Sequence, residues 1–260
     1  HYLTVIPGMI EDFIEHLKRL DAKPKPIGLI GAMADLVPKP MLKEITTLLN
    51  APYFNTFGST ETGNPPASAN LVAIGEAPSI LSKKQNDFCE IRLVDPDDND
   101  VPDGEPGELA IRGPSLFSGY WANDEANKDA FRNGWFHMGD VFRRTPDGLL
   151  DFVDRVKYMI KSGGENIYPA EIEQHIMADA RIIEVAVVRK PDEKWGEVPV
   201  VFAARNDETL AKDEVIDMCR GRIANYKLPK EIHFIELDDL PRSTSGKIQR
   251  HILEDRLKSL

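Results

Sequence analysis

The apolar residues of this 260-residue chain change their spacing twice, near residues 86 and 155, so no single secondary-structure pattern can serve its whole length. In the first stretch Met9, Ile10, Phe13, Ile14, Leu17 and Leu20 recur at helical intervals with charges between them. Ile27-Gly28-Leu29-Ile30-Gly31 reads as a short buried strand. Pro40 suits the first turn of a second helix, whose apolar face is Met41, Ile45, Leu48 and Leu49. Pro52-Tyr53-Phe54-Asn55 returns as a strand. Helix, strand, helix and strand joined by short loops predict a layered α/β region.

Beyond residue 86 the period becomes two. Cys89, Ile91 and Leu93 alternate with polar neighbours, a polar loop covers Asp95 to Gly104, and Glu108-Leu109-Ala110-Ile111-Arg112 alternates again before a turn at Gly113-Pro114. This predicts a twisted antiparallel sheet or a small β-barrel. From residue 155 the order is strand (157–161), turn (Ser162-Gly163-Gly164) and a helix opened by Tyr168-Pro169, with Glu171 and Glu173 favourably placed for its dipole. Strands over 182–188 and 198–204, a helix over 212–224, a strand over 231–236 and a helix over 248–258 follow. The fold class is therefore α/β plus α+β. A large region spans 1–156, and a small domain of ordinary size spans 157–260.

Bulk properties narrow the partners. The net charge of −11 disfavours nucleic acid and anionic membrane. Cys89 and Cys219 are too few and too distant for a disulfide framework or zinc cluster, which suggests reduced thiols in the cytoplasm. No run approaches the roughly 20 apolar residues of a membrane span. His1-Tyr2-Leu3-Thr4 offers neither an initiator Met nor a signal sequence, so the chain is expected to be the later part of a longer protein.

Four segments carry chemistry. Thr56-Phe57-Gly58-Ser59-Thr60-Glu61-Thr62-Gly63 combines an aromatic face, a glycine that admits close approach, hydroxyl donors and a hard oxygen ligand suited to Mg²⁺. Gly134-Trp135-Phe136-His137-Met138-Gly139-Asp140 ends on a carboxylate that can accept from two neighbouring hydroxyls. In the segment from Asp154 to Ile167, Arg155 offers a fork of donors, and Gly163-Gly164 a surface free of side chains. Lys247, on the loop Pro241-Arg242-Ser243-Thr244-Ser245-Gly246-Lys247, offers an ammonium able to neutralise developing charge. Each has an ordinary structural explanation as a turn, a hairpin or a surface lysine.

Taken together and in this order, the segments resemble the adenylate-forming enzymes, which include acyl-CoA synthetases, firefly luciferase and nonribosomal adenylation domains. The resemblance rests on Phe-Gly-Ser-Thr-Glu at 57–61, Gly-Glu-Leu-Ala-Ile-Arg-Gly-Pro at 107–114 with Gly119-Tyr120-Trp121, and Trp-Phe-His-Met-Gly-Asp at 135–140. It continues with Asp-Arg-Val-Lys at 154–157, Ser-Gly-Gly-Glu-Asn-Ile-Tyr-Pro-Ala-Glu-Ile-Glu at 162–173 and Pro-Arg-Ser-Thr-Ser-Gly-Lys at 241–247.

The resemblance implies an ATP-dependent acyl-CoA synthetase acting on a fatty or other small organic acid, with ATP/AMP, CoA and Mg²⁺ as ligands. A ligase that loads a carrier protein, or a non-catalytic fragment, are the alternatives. It implies part of a large adenylate-forming domain followed by a small mobile one. Phe57 would lie on adenine, with Gly31, Ala32 and Met33 as the opposite wall. Asn55, Gly58 and Ser59 join that nucleotide site, Thr60 meets the α-phosphate, and Glu61 holds Mg²⁺. Asp140 would hold the ribose hydroxyls, and Arg155 the ribose or phosphate. Lys247 would serve adenylation and Lys157 would be the hinge. Gly163, Gly164, Trp195, Tyr226 and Lys230 would face CoA. Three departures stand out: Phe57 where tyrosine is common, Met138 where threonine is common, and no Ser/Thr/Gly-rich phosphate loop in residues 1–56. A chain without that loop is expected to be inactive alone.

Overall fold

The computed structural model describes residues 1–5, 9–20, 25–32, 35, 37–243 and 246–258. Its contacts divide the chain into two compact units, His1–Phe152 and Val153–Leu260.

The first unit begins with β1 (Tyr2–Thr4), α1 (Ile10–Arg19), β2 (Leu29–Ala32), α2 (Lys39–Leu49) and β3 (Tyr53–Phe57), followed by β4 (Ala67–Val72) and the short β5 (Lys84–Gln85). These strands form one sheet in chain order, parallel across β1, β2 and β3 and antiparallel across β3, β4 and β5. The helical spacing read from the sequence is what buries Ile10 and Ile14 of α1 against Leu42, Ile45 and Leu49 of α2. Pro40 lies in the first turn of α2, where a missing N–H costs nothing, and Asn50 ends the helix in the left-handed region at φ 47°. Along β3 burial alternates, which sends Tyr53, Asn55 and Phe57 to the same buried face.

A second sheet contains β6 (Glu90–Val94), β7 (Pro106–Arg112), β8 (Phe136–Arg144) and β9 (Leu150–Arg155), in that order, with α3 (Asp124–Ala130) between β7 and β8. β6, β7 and β8 are antiparallel neighbours, as the period-two spacing requires. Leu93, Leu109, Ile111, Phe142 and Leu150 make its core, and Phe57 joins them.

The second unit contains β10 (Ile160–Ser162), β11 (Glu165–Ile167), α4 (Pro169–Ile176), β12 (Ile182–Asp192), β13 (Gly196–Arg205), α5 (Lys212–Asp217), β14 (Glu231–Phe234) and α6 (Arg250–Leu257). Its sheet has the order β11-β10-β13-β12, and β14 runs parallel to β13. Alternate residues of β12 and β13 feed two cores. Val185, Val187, Val201 and Ala203 pack with Ile172 and Ile176 of α4, whereas Ala186, Val188, Val200 and Phe202 pack with Leu253 and Leu257 of α6.

Three expectations need correction. The strand read over 157–161 is a 3₁₀ turn at Val156–Tyr158 followed by β10. The helix read over 212–224 stops at Asp217. Val215, Cys219 and Ile223 are all buried and keep a four-residue spacing, but turns carry the later two, and Gly221 sits at φ 71°. Strands β12 and β13 exceed their apolar runs because their polar ends close a hairpin, in which Asp192 Oδ1 accepts from the N–H groups of Lys194 and Trp195.

Candidate functional site

Residues 57–63 leave β3 and turn sharply. Thr62 fixes the turn: its Oγ1 accepts from Ser59 N at 3.1 Å and donates to Ser59 O at 2.9 Å. A Cβ at Gly58 would lie 3.1 Å from that oxygen and 3.3 Å from Pro65 Cα, so glycine suits the close approach. Thr60 is exposed and Glu61 half-buried. Glu61 Oε1 accepts from the Tyr120 hydroxyl at 3.2 Å, and Glu61 O accepts from Phe117 N at 2.9 Å. Asn127 of α3 clamps Tyr120 in turn, accepting from its N–H at 2.6 Å and donating to its carbonyl at 2.9 Å. Burial and the Glu61 charge push the Tyr120 phenol up. Tyr120 thus orients Glu61, a role the sequence did not reveal although Gly119-Tyr120-Trp121 stood out.

Phe57 does not present a free face. It is 2% exposed, and its ring meets Phe142 edge-on at 4.6 Å. A phenyl lacks a polar tip to hold it at the surface, and the β3 alternation turns position 57 inward. Asn55 is fully buried, and its Nδ2 donates to Leu81 O at 3.2 Å. Gly31 lies under Tyr2, since a Cβ there would sit 1.9 Å from the phenol oxygen. Ala32 follows in β2, and Met33 lies outside the described residues.

Next to Asn55 is a fully buried lysine that sequence reasoning missed. Lys83 Nζ pairs with Asp35 at 2.5 Å and donates to the same Leu81 carbonyl at 3.2 Å. Burial pushes its pKa down, against the pull of Asp35. A lysine between a serine and a second lysine carries no sequence signal of burial.

Asp140 lies within β8 at 2% exposure, directly after Gly139. Strand β8 bulges there. Glu108 of β7 pairs with Val141 and Ala110 with His137, so Leu109 alone faces Met138, Gly139 and Asp140. Bulges of this kind re-aim side chains beside functional sites.

The remaining residues belong to the second unit. Arg155 and Lys157 are exposed, and Lys157 O accepts from Arg189 at 3.2 Å. The neighbouring Asp154 is buried. It accepts from Arg155 N at 2.7 Å and from Ala170 N at the start of α4 at 2.8 Å. Gly163 and Gly164 adopt φ 60° and 88° in the β10–β11 hairpin. Gly163 N donates to Trp195 O at 2.8 Å, and a Cβ on Gly163 would lie 2.8 Å from the indole. Gly163 and the 44%-exposed Trp195 are therefore in contact, and Gly164 has open space beside it. Strands β10 and β14 share one edge of β13, where Ser162 pairs with Gly196 and Glu231 with Val200. That spacing puts Lys230 roughly 13 Å along the edge from the glycines, at about 3.3 Å per residue. Tyr226 is exposed, and its neighbour Lys227 is committed to Glu171 at 2.7 Å. Lys247 is exposed on a turn closed by the Arg242–Ile248 bridge and by Ser243 N donating to Lys247 O at 2.9 Å. The two sides of that loop are thus tied together on either side of residues 244–245, which lie outside the described residues.

Among the described residues no group of three or more His, Cys, Asp or Glu could hold a metal. A single carboxylate, Glu61, fits Mg²⁺, which commonly binds through one or two carboxylates plus phosphates of the substrate. Among the same residues no helix is long and apolar enough to cross a membrane.

The first unit thus holds the buried carboxylate Asp140, and the second unit holds exposed cations and a glycine hairpin. Comparison with known proteins identifies the family. The AMP-binding enzyme family matches residues 1–121, and the AMP-binding enzyme C-terminal domain matches residues 171–247. The chain belongs to the AMP-binding enzyme family. It is 37% identical to the indoleacetate–CoA ligase of Aromatoleum aromaticum over 95% of this chain and 48% of that protein. It is 33% identical to the 2-succinylbenzoate–CoA ligase of Bacillus cereus over 99% and 52%. Among solved structures, the o-succinylbenzoate CoA synthetase of Bacillus subtilis with its acyl-adenylate intermediate matches at TM-score 0.74 and 29% identity, over 98% of this chain and 51% of that one. MatB from Rhodopseudomonas palustris matches at TM-score 0.70 and 27% identity, over 99% and 51%. The α/β and α+β architecture is thus that of adenylate-forming enzymes, and the chain spans about half the length of the curated relatives it matches.

Proposed function

We propose that the protein carrying this chain is an ATP-dependent, AMP-forming ligase that joins an aromatic carboxylic acid to CoA in the cytoplasm. The observation that carries this reading is the likeness, along nearly the whole chain, to relatives named as CoA ligases of indoleacetate and 2-succinylbenzoate. Within the fatty or other small organic acids expected from sequence, those names favour an aromatic acid. The exposed indole beside a side-chain-free hairpin supports a thiol-bearing chain as acceptor.

In this reading the acid's carboxylate attacks the α-phosphorus of ATP, and pyrophosphate leaves. The CoA thiolate then attacks the acyl carbonyl, and AMP leaves. Thr60 and Lys247 stabilise charge on the α-phosphate and carboxylate oxygens, and Asp140 accepts from the ribose hydroxyls. Mg²⁺, held by Glu61 and the phosphates, would neutralise phosphate charge. Tyr120 keeps the Glu61 carboxylate in place for it. Lys157 serves as the hinge that exchanges Lys247 for Gly163 and Gly164 between the two steps. Residues 1–56 hold no Ser/Thr/Gly-rich loop to grip the outer phosphates, so in this reading the chain by itself would not make adenylate.

The test is acid-dependent pyrophosphate release by the protein carrying this chain, across aromatic and fatty acids, with and without CoA. Aromatic acids should release pyrophosphate and yield a thioester. Release without any thioester would favour loading of a carrier protein, thioesters from fatty acids alone would overturn the substrate class, and no release would overturn the ligase.

A further inference from the structure

The bulge in β8 leaves Gly139 without an ordinary ladder partner. Two residues more on β8 than on β7 lie between the Glu108–Val141 and Ala110–His137 pairs. Gly139 takes φ 74°, a region that disfavours any side chain, although a Cβ there would meet nothing within 4 Å. Conformation, not space, demands the glycine.

A side chain receives the stranded N–H. Gly139 N donates to Glu108 Oε1 at 3.2 Å. The other oxygen, Oε2, pairs with Arg132 and lies 3.4 Å from His137 Nδ1. The His137 side chain is 1% exposed, and its Nε2 lies 3.7 Å from Asp98 Oδ1. Asp98 in turn accepts from Asn133 and lies near Arg92. Burial raises the Glu108 pKa, but His137 and Arg132 outweigh it, so the carboxyl stays ionised below its ordinary range. One oxygen of an anchored anion is therefore spent on the peptide that immediately precedes Asp140.

We propose that Glu108 is a positioning residue for the nucleotide ribose. By holding the Gly139 N–H, it fixes the bulge that aims the Asp140 carboxylate, with Arg132 and His137 fixing Glu108. This rests on the reading above that Asp140 accepts from the ribose hydroxyls. The recognised chemistry is the vicinal diol of a ribonucleotide. Glu108 acts through Asp140 and touches no substrate atom.

The experiment measures kcat/KM of the protein carrying this chain for ATP and for 2′,3′-dideoxy-ATP. Loss of general packing lowers both values, whereas misaiming of Asp140 lowers their ratio. The unaltered protein should favour ATP on the order of 100-fold, as charge-assisted bonds to two hydroxyls predict. Asp140→Ala should bring the ratio near one. Glu108→Asp keeps the charge facing Arg132 but withdraws the acceptor by one methylene, and should also bring the ratio down toward one. Glu108→Gln retains one acceptor of the two, for which the Gly139 N–H and Arg132 compete, and should leave the ratio between those of the unaltered protein and Glu108→Asp. Should the shortened side chain fail to fold, Glu108→Met removes the acceptor at nearly constant volume, with the same collapse expected. A full ratio in Glu108→Asp or Glu108→Met, beside a collapsed one in Asp140→Ala, overturns the role of Glu108. A full ratio in Asp140→Ala overturns the ribose reading beneath it.

Discussion

Asp154 should make the stability of this chain fall as pH rises through the mildly acidic range. The residue is 4% exposed, and its two oxygens accept the N–H groups of Arg155 and Ala170. Burial pushes its pKa up from 3.8 to about 6, and Glu173 adds to the rise. The Ala170 N–H, the Arg250 charge and the Arg155 N–H pull the other way. The folded chain thus binds this proton more tightly than the unfolded chain. The contribution is fully present below pH 3.8, declines between 3.8 and about 6, and is gone above. A rise of that size corresponds to about 3 kcal/mol. Asp154→Asn cannot ionise. Its amide forfeits one acceptor, costing about 1 kcal/mol at every pH. The difference in unfolding free energy between variant and unaltered chain should therefore swing toward the variant by about 2.4 kcal/mol between pH 4 and pH 7, part of the full span being already lost at pH 4. Urea titrations followed by circular dichroism at four pH values read this directly, since titrations common to both proteins cancel. A difference that stays flat with pH would refute the reasoning.

Other perturbations follow from the same geometry. In the protein carrying this chain, Lys247→Ala should reduce acid-dependent pyrophosphate release by at least about 100-fold while largely sparing thioester formation from supplied acyl-adenylate; equal losses in both assays would remove Lys247 from the adenylation step. Lys157→Pro, which fixes φ, should block thioester formation and leave pyrophosphate release in place, as quenched-flow assays of the two half-reactions would resolve. Lys83→Met strands Asp35 in a largely buried setting and should cost roughly 3–5 kcal/mol of stability, whereas adding Asp35→Leu should recover most of that loss, both read from urea midpoints.

What the sequence made legible were features carried by period and by local chemistry. The spacing of Ile10, Ile14, Leu42, Ile45 and Leu49 predicts the helices that bury them, and the alternation around Leu109 and Ile111 predicts the antiparallel sheet. The glycine hairpin at 163–164 was equally readable, because two adjacent residues at positive φ leave little choice of amino acid. Features that depend on long-range contact stayed hidden. Nothing near Glu108 announces that its carboxylate will meet a peptide 31 positions later. The partners of Asp154 lie across α4 and α6, and the burial of Lys83 depends on an aspartate 48 positions earlier. Phe57 was readable as an aromatic beside a turn, but its inward direction follows from the strand alternation that also buries Tyr53.

In the proposed reaction the two units would divide the chemistry by how firmly each group is held. Asp140 and Glu108 are fixed within strands of the first unit, and part of the cost of burying Glu108 is offset by Arg132, His137 and a backbone N–H. Groups held this way need no rearrangement when a ligand binds, which suits a diol whose geometry does not change during the reaction. Lys247, Arg155 and Lys157 of the second unit are exposed. A long exposed cation gives up side-chain entropy when it engages, so its stabilisation is small unless charge develops where it reaches. In the proposed reaction the carboxylate and the α-phosphate are charged from the start, but their oxygens converge on one point only while the acyl-phosphate bond forms. An exposed lysine therefore binds the ground state weakly and the transition state well, and that difference is the part of binding that raises rate. The same lysine buried beside Asp140 would be paired in every state and would contribute nothing selective.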